Sequence, residues 1–511
     1  MSVTSSPDQD TPPPDKKSKM DTQLVTVQFE TETGDRPFPP LSVPVDITPD
    51  KLQLLLHTLL KADNADEEDL DRPFAFFLQD REIQDDLAEC MQWMLINQER
   101  TVPVIFKPQS IFKVRPVTRC TSSMPGHTQP VVVALFSPDG RYLASGSGDN
   151  TVRFWDISTE TPRFEGKAHR QYVLALAWSP DGSRLASGDK LGHVVIWDPE
   201  TGQQIGRTLS GHKQFITGLA WQPLHLTKDG ECRLLASSSK DGDVRIWDTI
   251  TSKFVLALTS HTQSVTCLRW GGTDLIYSAS QDRTIKVWRA QDGVLCRTLQ
   301  GHGHWVNVLA LNTDYVMRTG AFEPAQAQIV NNISSFSGPE KKDIALKRYQ
   351  EVLSRVKGGD ELMVSGSDDF TMFLWNPSKE KQSLARMTGH QQLVNDVKFS
   401  PDCRIVASAS FDKAVRLWDG TTGKYLAVLR GHVQAVYQLA WSADSRLLVS
   451  GSADSTIKLW TAQVKGGYDK TKFLTVDLPG HGDEIYAVDW SPDGQRVVSG
   501  GKDTLLRIWR K

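Results

Sequence analysis

The sequence predicts a mainly β protein, an eight-bladed β-propeller preceded by a small α+β domain, and two observations carry that prediction. A Trp closes a short apolar segment eight times, at Trp155, Trp197, Trp247, Trp288, Trp375, Trp418, Trp460 and Trp509. Each Trp also follows its own His, at His127, His169, His212, His261, His302, His390, His432 and His481, and in six of the eight pairs the interval is 27 or 28 residues. The third pair is modestly longer and the fifth much longer. A unit of this size cannot bury its apolar faces alone, so eight of them close into one ring spanning about residues 111–511.

The His mostly follows Gly and the Trp often precedes Asp, which identifies the units as WD40 repeats. Six residues before the Trp stands an Asp, at Asp149, Asp241, Asp282, Asp369, Asp412, Asp454 and Asp503, in stretches suited to a tight turn. The Ser two residues earlier, at Ser147, Ser239, Ser280, Ser367, Ser410 and Ser452, is expected to bond the indole N–H, completing a buried His, Asp, Ser and Trp tetrad. Blade two has Asp189 in that Ser position and Leu191 in place of the Asp, so its tetrad is expected not to form as elsewhere. Blade eight has Gly501 in the Ser position and is expected to be incomplete. A His-Asp-Ser set invites comparison with a hydrolase triad, but its repetition around the ring assigns it to structure. Closure needs an outer strand for the last blade, and residues 111–117, Ile-Phe-Lys-Val-Arg-Pro-Val, are expected to supply it and so cover an open sheet edge.

Composition agrees. With 511 residues the chain exceeds one core. A formal charge of −3 gives no global basic signature, so any nucleic-acid contact must be local. The six Cys are scattered singly, which favours reduced thiols over disulfides or zinc. No apolar run approaches the roughly 20 residues of a membrane span, and the polar start carries no secretory signal, so the expectation is a soluble intracellular monomer.

Residues 1–21 are rich in Pro, Ser, Asp and Lys and are expected to be a disordered tail, whose Lys16-Lys17-Ser18-Lys19 suits either nuclear import or simple solvation. Residues 22–110 hold a different pattern. Strands are expected at 24–29, 41–45, 74–78 and 102–106, a helix opens at Thr48 and Pro49 with Leu52, Leu55, Leu56, Leu59 and Leu60 on one side, and a short helical stretch runs over 87–94. That order resembles ubiquitin-like domains. Eleven carboxylates crowd residues 63–89 against Arg72 and Arg81, making either a solvated face or a docking surface for a cation or basic partner. Glu82 is read as projecting from a connecting loop, and the residues alone do not choose it over Asp80 or Asp85.

The acidic ubiquitin-like domain, the junction Phe-Lys-Val-Arg-Pro-Val-Thr-Arg-Cys-Thr-Ser-Ser at 112–123, the stretch Gln-Ser-Val-Thr-Cys-Leu-Arg-Trp at 263–270, the insertion Arg-Thr-Gly-Ala-Phe-Glu-Pro at 318–324 and Tyr-Ala-Val-Asp-Trp at 486–490 together resemble the Notchless family of ribosome assembly factors. The resemblance implies a non-catalytic factor of the large-subunit precursor (the pre-60S particle, ribosomal protein and rRNA together) in nucleus and nucleolus. It implies that the propeller anchors on the particle while the ubiquitin-like domain is gripped by the metal-dependent adhesion site of the AAA ATPase midasin. The residue matching the family's loop Glu is Glu82, which would complete the shell of a Mg²⁺ held by the partner, no cofactor being intrinsic. A WD40 signalling or ubiquitin-pathway substrate-recognition scaffold is the alternative; an enzyme is not expected, because no metal-ligand cluster, phosphate loop or nucleophile elbow appears.

Two further features are candidates for contact. An insertion over about 312–360 separates the first and second strands of blade five, emerges opposite the Gly-His loops, and is expected to dock ribosomal RNA or protein. Tyr172, Phe215 and Trp305 lie three residues past their His, and Tyr437 and Tyr486 five past theirs, where aromatics serve either blade packing or partner anchoring.

Overall fold

The computed structural model describes residues 24–31, 36–62, 74–78, 81–83, 87–88, 91, 101–108, 114–323, 336–356, 358–461 and 474–510. The chain divides into two compact units between residues 109 and 110. The N-terminal tail, the acidic run 63–71, Asp80, Asp85, Asp86, Glu89, Cys90 and residues 111–113 lie outside the described residues.

Among the described residues the first unit is a five-stranded sheet with one long helix and further helical residues at Leu87, Ala88 and Met91. Its strands are β1 (Leu24–Glu30), β2 (Leu41–Pro44), β3 (Phe74–Leu78), β4 (Arg81–Glu82) and β5 (Val102–Pro108), in the order β2-β1-β5-β3-β4. β1 and β5 run parallel at the centre, and the other pairs are antiparallel. Alternation places Val25, Val27 and Phe29 inside, where Leu52 and Leu56 of helix α1 (Pro49–Ala62), spaced one turn apart, meet them. Phe76, Leu78, Val102 and Val104 complete this core.

The second unit is eight four-stranded antiparallel sheets, one for each His–Trp repeat. Inner strands begin at Val131, Val173, Ile216, Val265, Val306, Val394, Val436 and Ile485, all fully buried, because β-branched side chains fill the narrow space between blades. The sheet of blade eight, Ile485–Trp490, Val497–Gly501 and Leu506–Arg510, takes its outer strand from the start of the unit. That strand is β6 (Arg119–Met124), not residues 111–117 as expected. Ser122 pairs with Ile508 and Arg119 with Arg510. The apolar residues that suggested a strand, Val114 and Val117, are buried instead beneath blades seven and eight against Leu447, Trp490 and Val497, with the Val114 N–H on Asp444 at 2.8 Å. An outermost strand faces solvent, so polar Arg-Cys-Thr-Ser-Ser suits it better than an apolar run.

The blade-five insertion does lie between Val306–Leu311 and Met363–Ser367, and its described part folds back onto the ring. Helix α2 (Asp314–Thr319) is followed by α3 (Gly338–Ser354), which starts at Ser337 in a capping box with Glu340. Ala345, Tyr349 and Val352 form the buried stripe of α3. Tyr349 stacks on His225 of blade three at 4.6 Å. Arg318 of α2 forms a two-point contact with Asp489 of blade eight and also donates to the Phe136 carbonyl of blade one at 3.3 Å. Gly320 and Phe322 lie against Pro180 and Gly182 of blade two, and the Cys403 thiol of blade six donates to the Asn312 carbonyl at 3.1 Å. Buried Glu361 accepts from Thr313, Tyr277 and the Gly272 N–H, tying the insertion to blade four. A segment that leaves blade five and reaches blades eight, one and two crosses the ring, so it covers the channel mouth opposite the Gly-His loops.

Candidate partner-binding surface

The Gly-His face is positioned by eight complete tetrads. In every blade the His Nδ1 lies 2.7–3.1 Å from the nearer carboxylate oxygen of its Asp, its Nε2 lies 2.6–2.8 Å from a Ser hydroxyl, and the Trp indole is 2.7–2.9 Å from that same hydroxyl. An ionised carboxylate only accepts, so Nδ1 of the neutral imidazole carries the proton and donates to Asp, which leaves Nε2 to accept from the Ser hydroxyl while that hydroxyl accepts from the indole N–H.

Three expectations about these groups are corrected. The bonding Ser stands ten residues before the Trp, at Ser145, Ser187, Ser237, Ser278, Ser365, Ser408, Ser450 and Ser499, all fully buried. Ser147, Ser239, Ser280, Ser367, Ser410 and Ser452 instead fasten the turn, donating to a carbonyl of the preceding loop and accepting the N–H of the turn Asp. Blade two forms its tetrad with Asp189, which reaches His169 at 3.1 Å from two residues earlier in the turn. Blade eight is complete because Ser499, not position 501, holds the indole.

Burial alone would raise the tetrad carboxylates of blades one to seven, but hydrogen bonds from the imidazole and from backbone N–H groups outweigh it. Asp412, bonded by His390 and by the N–H groups of Gln391 and Ala414, is held at about 2. Each Ser hydroxyl is sealed from solvent and already engaged, so these sets do structural work. Among the described residues no group of three or more His, Cys, Asp or Glu could hold a metal, and no helix is long and apolar enough to cross a membrane.

The tetrads fix the loops on which the candidate aromatics stand. Tyr172, Phe215 and Trp305 immediately precede the inner strands Val173–Trp178, Ile216–Trp221 and Val306–Leu311, and Tyr172 and Trp305 are 43% and 41% exposed. Lys190 lies over the Tyr172 ring and Lys240 over Phe215, each at 5.2 Å. Tyr437 and Tyr486 occupy the β-bulges of blades seven and eight, where the extra residue turns a side chain out of the ladder. Both are half-buried, their rings 5.8 Å apart, with Phe411 5.7 Å beyond and the Tyr437 hydroxyl on Glu484 at 3.2 Å. These two therefore pack between blades as well as facing outward. Asn395 at the equivalent bulge of blade six bonds the Tyr437 carbonyl at 2.6 Å, an inter-blade tie that sequence reasoning did not single out.

Glu82 is not in a connecting loop. It pairs with Phe77 in β4, a two-residue strand at the sheet edge, and the next residue, buried Ile83, bonds the Phe76 carbonyl at 2.7 Å. The backbone at Glu82 is thus fixed by the sheet. The five described cysteines are free thiols.

Comparison with known proteins matches residues 25–91 to the NLE (NUC135) domain. WD domain, G-beta repeat, matches 118–156, 160–198, 203–248, 252–289, 381–419, 423–461 and 472–510. The interrupted fifth blade is absent from those matches and present as a sheet in the structure. The chain is 52% identical over 393 residues to Protein Notchless of Drosophila melanogaster, covering 76% of this chain and 78% of that one. It is 50% identical to the Notchless protein homolog of Arabidopsis thaliana over 70% of this chain and 73% of the relative. It is 42% identical to Ribosome assembly protein 4 of Saccharomyces cerevisiae over 81% and 84%. A crystal structure of the computationally designed Ika8 protein superposes with a TM-score of 0.58 at 28% identity, covering 77% of this chain and all of Ika8. With the NLE domain, the WD repeats and this identity to Notchless proteins across most of its length, the chain belongs to the Notchless family.

Proposed function

We propose that this protein is a non-catalytic assembly factor of the large ribosomal subunit precursor, working in nucleus and nucleolus, with its propeller as anchor and its N-terminal domain as handle. The carrying observation is the 42% identity to Ribosome assembly protein 4, extending over 81% of this chain. The asymmetry of the ring supports it: one mouth is covered by the chain's own insertion, while the other presents Tyr172, Phe215 and Trp305 on loops held by tetrads. Rigid loops bearing aromatics, exposed at Tyr172 and Trp305 and half-buried at Phe215, suit anchoring to a large particle.

In this reading the handle is the ubiquitin-like domain, the partner that pulls is midasin, and Glu82 supplies one carboxylate oxygen to a Mg²⁺ in its adhesion site. One carboxylate is far short of the near-octahedral oxygen shell Mg²⁺ requires, so the partner holds the ion. The insertion serves the ring as an internal cover first, and only its outward face is left for contacts with RNA or protein.

Sedimentation of tagged protein through a sucrose gradient tests the role. Comigration with large-subunit precursors is expected. Recovery only in the light fractions would overturn it in favour of a signalling or ubiquitin-pathway scaffold.

A further inference from the structure

The Gly-His face is electrostatically lopsided. In blade two the His is followed by Arg170, Gln171 and Tyr172, and in blade three by Lys213, Gln214 and Phe215; no other blade repeats this order of cation, Gln and aromatic. The neighbouring turns add Lys190 and Lys240 over the same two rings. Arg170, Lys190, Lys213 and Lys240 are all exposed, and none forms an ion pair among the described residues, the turn carboxylates Asp189 and Asp241 being engaged by their own His. In blade eight, by contrast, Lys502 pairs with Asp483 at 3.2 Å and Glu484 at 3.9 Å, and in blade five Asp368 meets His304 at 3.4 Å. The cations cluster in a chain whose net charge is −3, so they are not a by-product of composition.

The two loops form one surface. At Gly192 in the blade-two turn a Cβ would stand 2.6 Å from the Gln214 carbonyl of blade three, and at Gly148 in blade one a Cβ would stand 3.8 Å from the Tyr172 ring. The order along the rim is therefore Tyr172, the Lys190 turn, Phe215 and the Lys240 turn, without a gap between blades two and three.

We propose that this arc binds single-stranded RNA, phosphates on the four cations and bases against Tyr172 and Phe215. Resting on the assembly-factor reading, it names the chemistry of one part of the anchor. Unpaired cations at intervals match a charged backbone, and aromatics between them match unstacked bases, whereas duplex RNA hides its bases and would use only the charges. Gln171 and Gln214, each the residue before one of the two aromatics, are exposed and carry amides able to bond base edges.

The test is fluorescence anisotropy of the full-length protein with a labelled twelve-nucleotide oligouridylate, a duplex RNA and a poly-glutamate peptide, across a salt series. Four phosphate contacts give a slope of log K against log salt of about −3 for a single strand, and the double variant Lys190→Gln/Lys240→Gln should flatten it by about 1.4. Tyr172→Ala and Phe215→Ala should each weaken the single strand about tenfold with the slope kept, as loss of one stacked base does. Unchanged melting temperatures would certify the fold. Duplex bound as tightly as oligouridylate, aromatic variants equal to the parent, or poly-glutamate preferred to RNA would each overturn the proposal, the last pointing to an acidic protein. Comigration of the parent with precursors despite no RNA binding would remove this inference and leave the assembly role. RNA binding without comigration would do the reverse.

Discussion

Replacing Ser408 by Ala should be far more costly than replacing Ser410, although the two are neighbours on the same face of one strand. The Ser408 hydroxyl is fully buried and serves both the Trp418 indole at 2.9 Å and His390 Nε2 at 2.7 Å. Both partners are buried, at 1% and 7% exposure, so neither finds water when the hydroxyl goes. Each buried polar group left unmet costs ~1–3 kcal/mol, which puts Ser408→Ala, with two such groups, at about 2–6 kcal/mol. Ser410 is equally buried, but it donates to the Gln392 carbonyl at 3.1 Å and accepts from Asp412 N–H at 3.1 Å, and with Gln392 exposed and Asp412 half-exposed water can replace the hydroxyl there, so its loss should cost about 1 kcal/mol. Urea unfolding followed by Trp fluorescence measures both. Trp418→Phe, which keeps a ring and removes the N–H, should cost less in the Ser408→Ala background than alone, because the bond it breaks is already gone. Equal midpoints for the two Ser variants, or a larger loss at Ser410, would refute the tetrad assignment.

Acid should open the ring between about pH 4 and 2. The folded Asp412 carboxyl sits at about 2 against an ordinary 3.8, so its contribution is complete above that ordinary value and disappears as pH falls through the folded one; circular dichroism against pH reads it. Six further tetrad carboxylates are lowered in the same direction, which makes the loss cooperative. Arg318→Ala leaves the Asp489 carboxylate, only 6% exposed, without its counter-charge and with just the Phe136 and Trp490 N–H groups, and should cost about 3 kcal/mol in the same urea assay; no loss would show that the cross-ring contact carries no stability. At Gly230, φ is +74° and a Cβ would collide with the Gly338 backbone, so Gly230→Ala should displace the start of α3 and expose it to limited proteolysis. Glu82→Ala should abolish pull-down by the midasin adhesion domain in Mg²⁺ buffer, as chelation should for the parent, with the unfolding midpoint unchanged; retained binding would reassign the contact.

Ring, blade number and the extent of the fifth-blade insertion were legible because a repeat read eight times averages out local accidents. The choice of Ser was not, because six blades carry Ser at both positions, as at Ser408 and Ser410, and residues two apart in a strand share a face. Blades two and eight held the signal: each keeps only the Ser ten before its Trp, Ser187 and Ser499. The closing strand was misplaced for a related reason. An alternating apolar run at 111–117 suggests a strand, but the outermost strand of a blade has little to bury, and the apolar Val114 and Val117 went to the core as an extended lead-in. The folding back of the insertion was visible only as apolar residues such as Tyr349 and Val352 on α3, with nothing in the sequence to name His225 as the partner of Tyr349 or Asp489 as that of Arg318. At Glu82, two residues of pairing were too short to distinguish from a loop.

The pairing of β6 with the last strand also sets a clock on synthesis. Thr121 bonds the carbonyl of Ile508, 387 residues later, so the first propeller strand to leave the ribosome waits for the last. At roughly 5–20 residues per second that wait is about 20–80 s, during which blade one is finished and the ring stands open. The strand is well made for waiting, since its exposed positions are Arg119, Thr121 and Ser123, a polar edge that recruits few wrong neighbours. Arg318 likewise emerges 171 residues ahead of Asp489. Closure therefore comes in one late step, when the eighth blade delivers both missing partners together.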